Sequence, residues 1–143
     1  VCDMLIMGES AKLSMIFTNI GLVPDGGATW LLIHALGYRR ALQLVVEGGQ
    51  ISANKCLEFG LANRVVGDDN LKIESMDWAK NLAERAPLAT AASKRLFRKS
   101  FKQTYDQAFM AEAFEQDAVS ISEDFLNARE SFFKKQPPVF KGR

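Results

Sequence analysis

Three observations predict an α/β chain whose C-terminal half is mainly helical. An apolar run near the start, Asp3 to Met7, has the length and composition of a buried strand. A Pro- and Gly-containing loop, Gly21-Leu-Val-Pro-Asp-Gly-Gly-Ala-Thr-Trp30, joins extended chain to a helix. Beyond residue 70 the apolar residues recur at helical spacing, and polar capping residues punctuate them. The expected division is therefore 1–70, with the strands and the loop, and 71–143, with helices.

Asp3–Met7 is expected to end at the turn Gly8-Glu-Ser10, and Lys12–Met15 is a second short strand candidate. Ile16–Ile20 is ambiguous between strand and helix. Pro24 lacks an N–H and restricts the residue before it, so Leu22 and Val23 should be extended. Gly26 and Gly27 allow a tight turn. A helix follows over Ala28–Leu36, with Leu31, Leu32, Ala35 and Leu36 on its apolar side, and Gly37 stops it. Tyr38–Glu47 is the next helix, with Ala41, Leu42, Val45 and Val46 as its stripe.

Ser52 can cap a short helix to Phe59, and Gly60 ends it. Leu61–Val66 reads as extended, and Gly67–Asn70 as a turn. Leu71–Arg85 has helical spacing, and Pro87 suits the first turn of a helix to about Phe101. Thr104 and Ser122 can cap the last two, and Pro137-Pro138 lies beyond them.

Composition narrows the function classes. Of 143 residues, 48% are apolar and 24% charged, and the net charge of +1 gives no pull toward nucleic acid. No apolar run is long enough to span a bilayer. Cys2 and Cys56 form neither a C-x-x-C nor a metal-spaced pair. Two buried free thiols are expected, which suits the reducing cytoplasm. No His/Cys/Asp/Glu group has metal-ligand spacing, and no Ser sits in a G-x-S-x-G turn. His34, the single histidine, is read as structural or exposed.

Asp25 carries the chemistry, if any residue does. One reading makes it a helix cap and turn former. The other makes it a general acid/base beside the free N–H groups of a helix start, where developing negative charge is favoured. Lys94, Arg98 and Lys102, with Arg95 and Lys99, line one flank of a helix, either as a solvated face or as an anion site. Phe132-Phe-Lys-Lys135 pairs aromatics with cations, as a docked helix does or as an adenine and phosphate site does.

These pieces together resemble the crotonase superfamily, the enoyl-CoA hydratase/isomerase family, over the whole chain. The residues that carry the likeness are Val1-Cys-Asp3 and Gly8-Glu-Ser-Ala11, then Ile20-Gly-Leu-Val-Pro-Asp-Gly-Gly27 with Thr29. Leu36-Gly-Tyr-Arg-Arg-Ala-Leu42, Ile51-Ser-Ala53, Gly60-Leu-Ala-Asn63 and the ending Phe132, Lys135 and Pro138-Val-Phe-Lys-Gly-Arg143 follow in order. The resemblance implies a crotonase-like ββα spiral, of which this chain is the C-terminal half. It begins inside an apolar run without an initiator Met, like a strand cut at its start. A missing N-terminal half would supply the oxyanion-hole N–H groups and one Glu that hydratases use.

The resemblance also implies roles. The second hydratase Glu falls on Phe17, which cannot activate water, so isomerisation is favoured over hydration. Asp25 falls on the carboxylate of the isomerase-like branches, with Gly26 and Gly27 shaping its loop. Met15, Phe17 and Trp30 are candidate acyl-pocket walls, with core packing as the alternative. Phe132 and Lys135 fall on residues that hold the adenine and phosphate part of coenzyme A, although Gln136 replaces a common Arg. Coenzyme A would arrive as part of an acyl-CoA thioester, with no separate cofactor. The implied assembly is a homo-oligomer, a trimer or hexamer, with a role in fatty acid metabolism. A non-catalytic acyl-CoA-binding or oligomerisation module is the rival.

Overall fold

A computed structural model describes residues 2–143; Val1, the first residue of the apolar run, lies outside them. The chain divides into two compact units, the first ending at Asp77 and the second covering Trp78–Arg143.

Among the described residues of the first unit, four three-residue strands form two small sheets. β1 (Ile6–Gly8) pairs in parallel with β4 (Arg64–Val66), Met7 opposite Val65. β2 (Lys12–Ser14) pairs antiparallel with β3 (Gln50–Ser52), Leu13 opposite Ile51. α1 (Ala28–Leu36) and α2 (Tyr38–Glu47) are joined at Gly37, and α3 (Ala53–Glu58) follows β3 directly. Two apolar clusters fill the unit. Met7, Ala53, Cys56 and Ala62 form one, and Leu32, Ala41 and Leu44 the other, while Leu13, Ile51 and Leu61 pack against both.

The strands depart most from expectation. Only Ile6 and Met7 of the first apolar run pair, joined by Gly8 from the expected turn; Leu5 is held instead by Asn63, whose Oδ1 accepts the Leu5 N–H at 2.7 Å. Ile16–Ile20 is a 3₁₀ turn ended by Gly21 at φ 74°, and Leu22–Asp25 has no regular structure. β3 has no signal of its own in sequence; its pairing with β2 makes it a strand. The helix bounds of α1 and α2 agree with the spacing, but only half of each stripe packs inward, Leu32 and Leu36 of α1 and Ala41 and Val45 of α2. Leu31 and Ala35 of α1 are exposed, as are Leu42 and Val46 of α2, and Leu44 is buried instead.

The second unit is helical. α4 (Leu71–Ala83) leads into it, followed by α5 (Pro87–Ser100), α6 (Tyr105–Ser120) and α7 (Glu123–Phe133). The expected caps are in place. Ser52 Oγ accepts from Lys55 N at 3.3 Å and Ser122 Oγ from Phe125 N at 3.1 Å. Thr104 forms a full capping box with Gln107, each side chain accepting from the other's backbone N–H. Part of the basic flank is an ion-pair seam. Arg95 on α5 donates twice to Glu115 on α6, at 3.1 and 2.7 Å, and this pairing pulls the Glu115 carboxyl below its ordinary range.

The two cysteines differ, against the expectation that both are buried. Cys56 is 1% exposed within the first cluster, and burial raises its thiol pKa; Cys2 is exposed because strand pairing starts only at Ile6. Less thiolate and no access both slow reaction. A thiol-reactive dye should therefore modify one cysteine quickly in the native chain, at Cys2 by peptide mapping. Cys56 should react only on unfolding, and fast modification of both would contradict the packing of α3.

Candidate active site

The candidate site is built on the segment between the 3₁₀ turn and α1. Two side chains fix the turn to the end of α2. Thr18 Oγ1 donates to the Val45 carbonyl at 2.7 Å, and Asn19 Nδ2 to the Gly48 carbonyl at 3.3 Å. Leu22 N then donates to Phe17 O at 2.9 Å, closing the turn over Gly21. Pro24 and Asp25 follow in irregular backbone. Gly26 and Gly27 lie at φ 58° and 80°, two successive left-handed residues that reverse the chain into α1. A Cβ at either glycine would meet nothing within 4 Å, so the dihedral and not crowding requires glycine.

This geometry decides between the two structural roles open to Asp25. The residue flanking α1 is Gly27, and no side chain caps the helix. Asp25 forms the turn through its backbone, its carbonyl accepting from Ala28 N at 2.9 Å. Its carboxylate is exposed and has no hydrogen bond or ion pair with any described residue. A carboxylate so placed, three residues before an uncapped helix start, is available to exchange a proton with a bound molecule.

The expected pocket walls divide. Met15 is half-buried and packs on the Leu32–Ala41–Leu44 cluster, which is core packing. Phe17 is half-buried in the 3₁₀ turn. Trp30 is 44% exposed in the first turn of α1, its ring 4.0 Å from that of His34. His34 Nδ1 lies 2.7 Å from the Trp30 carbonyl oxygen, which can only accept, so Nδ1 carries the proton. The histidine is thus exposed but not isolated, having partners one helical turn away.

Phe132 and Lys135 belong to the second unit. Phe132 is 79% exposed and meets Phe133 edge-on at 5.9 Å. Lys134 is paired with Glu130. Lys135 sits at φ 53°, the only described non-glycine residue with positive φ. Lys135 N donates to Phe132 O at 3.1 Å and Gln136 N to Ser131 O at 2.9 Å, a Schellman ending with lysine where glycine is usual. That placement costs about 1–2 kcal/mol relative to glycine.

Sequence reasoning missed Asp124. It is 2% exposed, and its carboxylate accepts from Lys141 N at 2.6 Å and Gly142 N at 2.8 Å. Its partners lie 17 and 18 residues away, and no local signal pairs them. Among the described residues, no three His, Cys, Asp or Glu side chains are placed to hold a metal ion.

The family profile described as Enoyl-CoA hydratase/isomerase matches residues 1–143. The chain belongs to the enoyl-CoA hydratase/isomerase family. It is 32% identical over 141 residues to 1,2-epoxyphenylacetyl-CoA isomerase of Escherichia coli K12, covering 99% of this chain and 54% of that one. It is 30% identical over 145 residues to carnitinyl-CoA dehydratase of Salmonella typhi, covering 99% of this chain and 56% of the relative. The crystal structure of an enoyl-CoA hydratase from Bacillus anthracis superposes with a TM-score of 0.95 at 28% identity, over 99% of this chain and 55% of that one. The fold is therefore crotonase-like, as the motif order implies. The chain spans about half the length of the relatives it matches.

Proposed function

We propose that the chain is the C-terminal half of an acyl-CoA enzyme that moves a double bond through a thioester enolate. The observation that carries this reading is the Asp25 carboxylate, exposed and unpartnered between Pro24 and two left-handed glycines. In a Δ3 to Δ2 shift it takes a proton from C2 of the acyl chain, and the thioester oxygen gains negative charge. The same carboxyl returns the proton to C4, leaving the double bond between C2 and C3. Oxyanion donors must face that oxygen. They belong to the N-terminal half in this scheme, so the chain by itself should turn over little substrate. Phe17 at the place of a water-activating Glu supports isomerisation over hydration. The two relatives, an isomerase and a dehydratase acting on CoA thioesters, support the substrate class.

Residues 1–70 then carry the catalytic loop on the last part of the spiral. Residues 71–143 serve oligomerisation, as a trimer or hexamer, and coenzyme contact through Phe132 and Lys135. Coenzyme A enters only as part of the substrate, and the setting is cytoplasmic. The first test is the intact mass of the purified protein, read beside an assay for conversion of a 3-enoyl-CoA to the 2-enoyl isomer. A larger mass or a co-purifying second piece, with turnover, is the expected result. A mass near 15.9 kDa with no partner, together with tight acyl-CoA binding and no turnover, favours the non-catalytic binding module.

A further inference from the structure

The tail after α7 is tied down at both ends. At its start, Gln136 N donates to Ser131 O at 2.9 Å and Lys135 adopts the left-handed conformation. At its end, the buried Asp124 carboxylate accepts two successive backbone N–H groups, those of Lys141 and Gly142. Asp124 N donates in turn to Arg143 O at 3.0 Å, and Arg143 Nε pairs with Glu123 at 3.1 Å. Gly142, at φ 77°, sits so close over Pro87 that an added Cβ would lie 3.3 Å from its Cγ. Residues 135–141 therefore form a strap that leaves the end of α7 and is fastened beside its first turn.

A lysine at positive φ persists only where its surroundings over-determine it. The two Schellman bonds alone are those that normally accompany glycine. The additional constraint on this turn is the fastened strap. We infer that Asp124 is a positioning residue: its latch on Lys141 and Gly142 sustains the left-handed turn that sets Lys135, beside Phe132 of α7, for coenzyme A. The inference rests on the coenzyme reading of those two residues given above.

Without the latch, the strap is free at one end and Lys135 can relax to negative φ. The Lys135 ammonium then loses its fixed place, and its share of ligand affinity falls although its charge is intact.

Two measurements test this on the whole chain. In the first, Lys135→Gly is compared in wild-type and Asp124→Asn backgrounds by thermal unfolding. The Asn amide faces one of the two N–H groups with a donor, so the latch is broken. With the latch intact, Lys135→Gly should raise Tm by about 2–8 °C, because glycine relieves the strained φ. With it broken, the gain should vanish. Equal gains in both backgrounds would overturn the latch. Should Asp124→Asn fail to fold, Gly142→Ala loosens the same fastening from the strap's side, by its left-handed φ and its contact with Pro87, and serves in the same comparison.

The second measurement is calorimetric titration with coenzyme A. Lys135→Ala and Asp124→Asn should each weaken binding by about tenfold, and the double variant no further than Lys135→Ala. If Lys135→Ala binds like wild type, the coenzyme reading of Lys135 fails, and with it the positioning role. If Lys135→Ala is weakened while Asp124→Asn binds normally, the coenzyme reading stands and the positioning role of Asp124 is wrong.

Discussion

Asp25→Asn should lower the isomerisation rate of the assembled enzyme on the order of 10²–10⁴-fold with little change in KM. Asparagine has the size of aspartate but cannot take or return a proton near neutral pH. The structure makes this a clean substitution. Asp25 contributes a backbone turn to the fold and, among the described residues, no side-chain hydrogen bond, ion pair or helix cap. The stability change should therefore stay within about 0.5 kcal/mol, as for a surface site with no special feature. Loss of rate together with an unchanged unfolding midpoint would locate the defect in proton transfer. An unchanged rate would remove Asp25 from the chemistry and favour a protein that binds acyl-CoA without turning it over.

What sequence revealed follows from the range of each interaction. Helix ends were legible because their determinants are local. Ser52, Thr104 and Ser122 accept from N–H groups three residues on, and Gly37 and Gly60 stop helices beside them. The loop at Asp25 was legible for the same reason, since Pro24 and two glycines fix it from within. The strands were legible only in part: Lys12–Met15 and Leu61–Val66 contain β2 and β4, Asp3–Met7 overlaps β1 at Ile6 and Met7, and β3 has no signal of its own. With three residues each, they carry too little alternation to fix their bounds, and β3 exists only because β2 lies beside it, Leu13 opposite Ile51. The buried side of a helix was also hidden. α2 offers Ala41, Leu42, Leu44, Val45 and Val46, and only packing selects Ala41 and Leu44 for burial. Asp124 is the extreme case. Its local context reads as an ordinary acidic first turn, and its partners come from the last three residues of the chain.

Leu32→Ala should be the most destabilising of the simple truncations in the first unit, by about 2–5 kcal/mol. Leu32 is 5% exposed and is the one buried side chain of α1. It joins that helix to Ala41 and Leu44 of α2, and Leu13, Met15 and Ile51 close around it. Removing its outer carbons leaves a cavity with walls on two helices and a sheet, which cannot all move in to fill it. The control is Leu42→Ala on α2, a residue that apolar spacing alone would rank with the core. Its side chain is 45% exposed, and its loss should cost about 0.5 kcal/mol or less. Denaturant unfolding of the two variants side by side tests whether packing or spacing names the core. The same comparison bears on catalysis. α1 starts at Ala28, immediately after the left-handed pair, so Leu32 anchors the helix that carries the Asp25 loop. In the assembled enzyme Leu32→Ala should therefore reduce kcat as well as stability, because a carboxylate displaced by a fraction of an ångström transfers protons less well. Leu42→Ala should leave kcat alone. If both variants lose stability equally, the two-helix core around Leu32 is not what holds the loop.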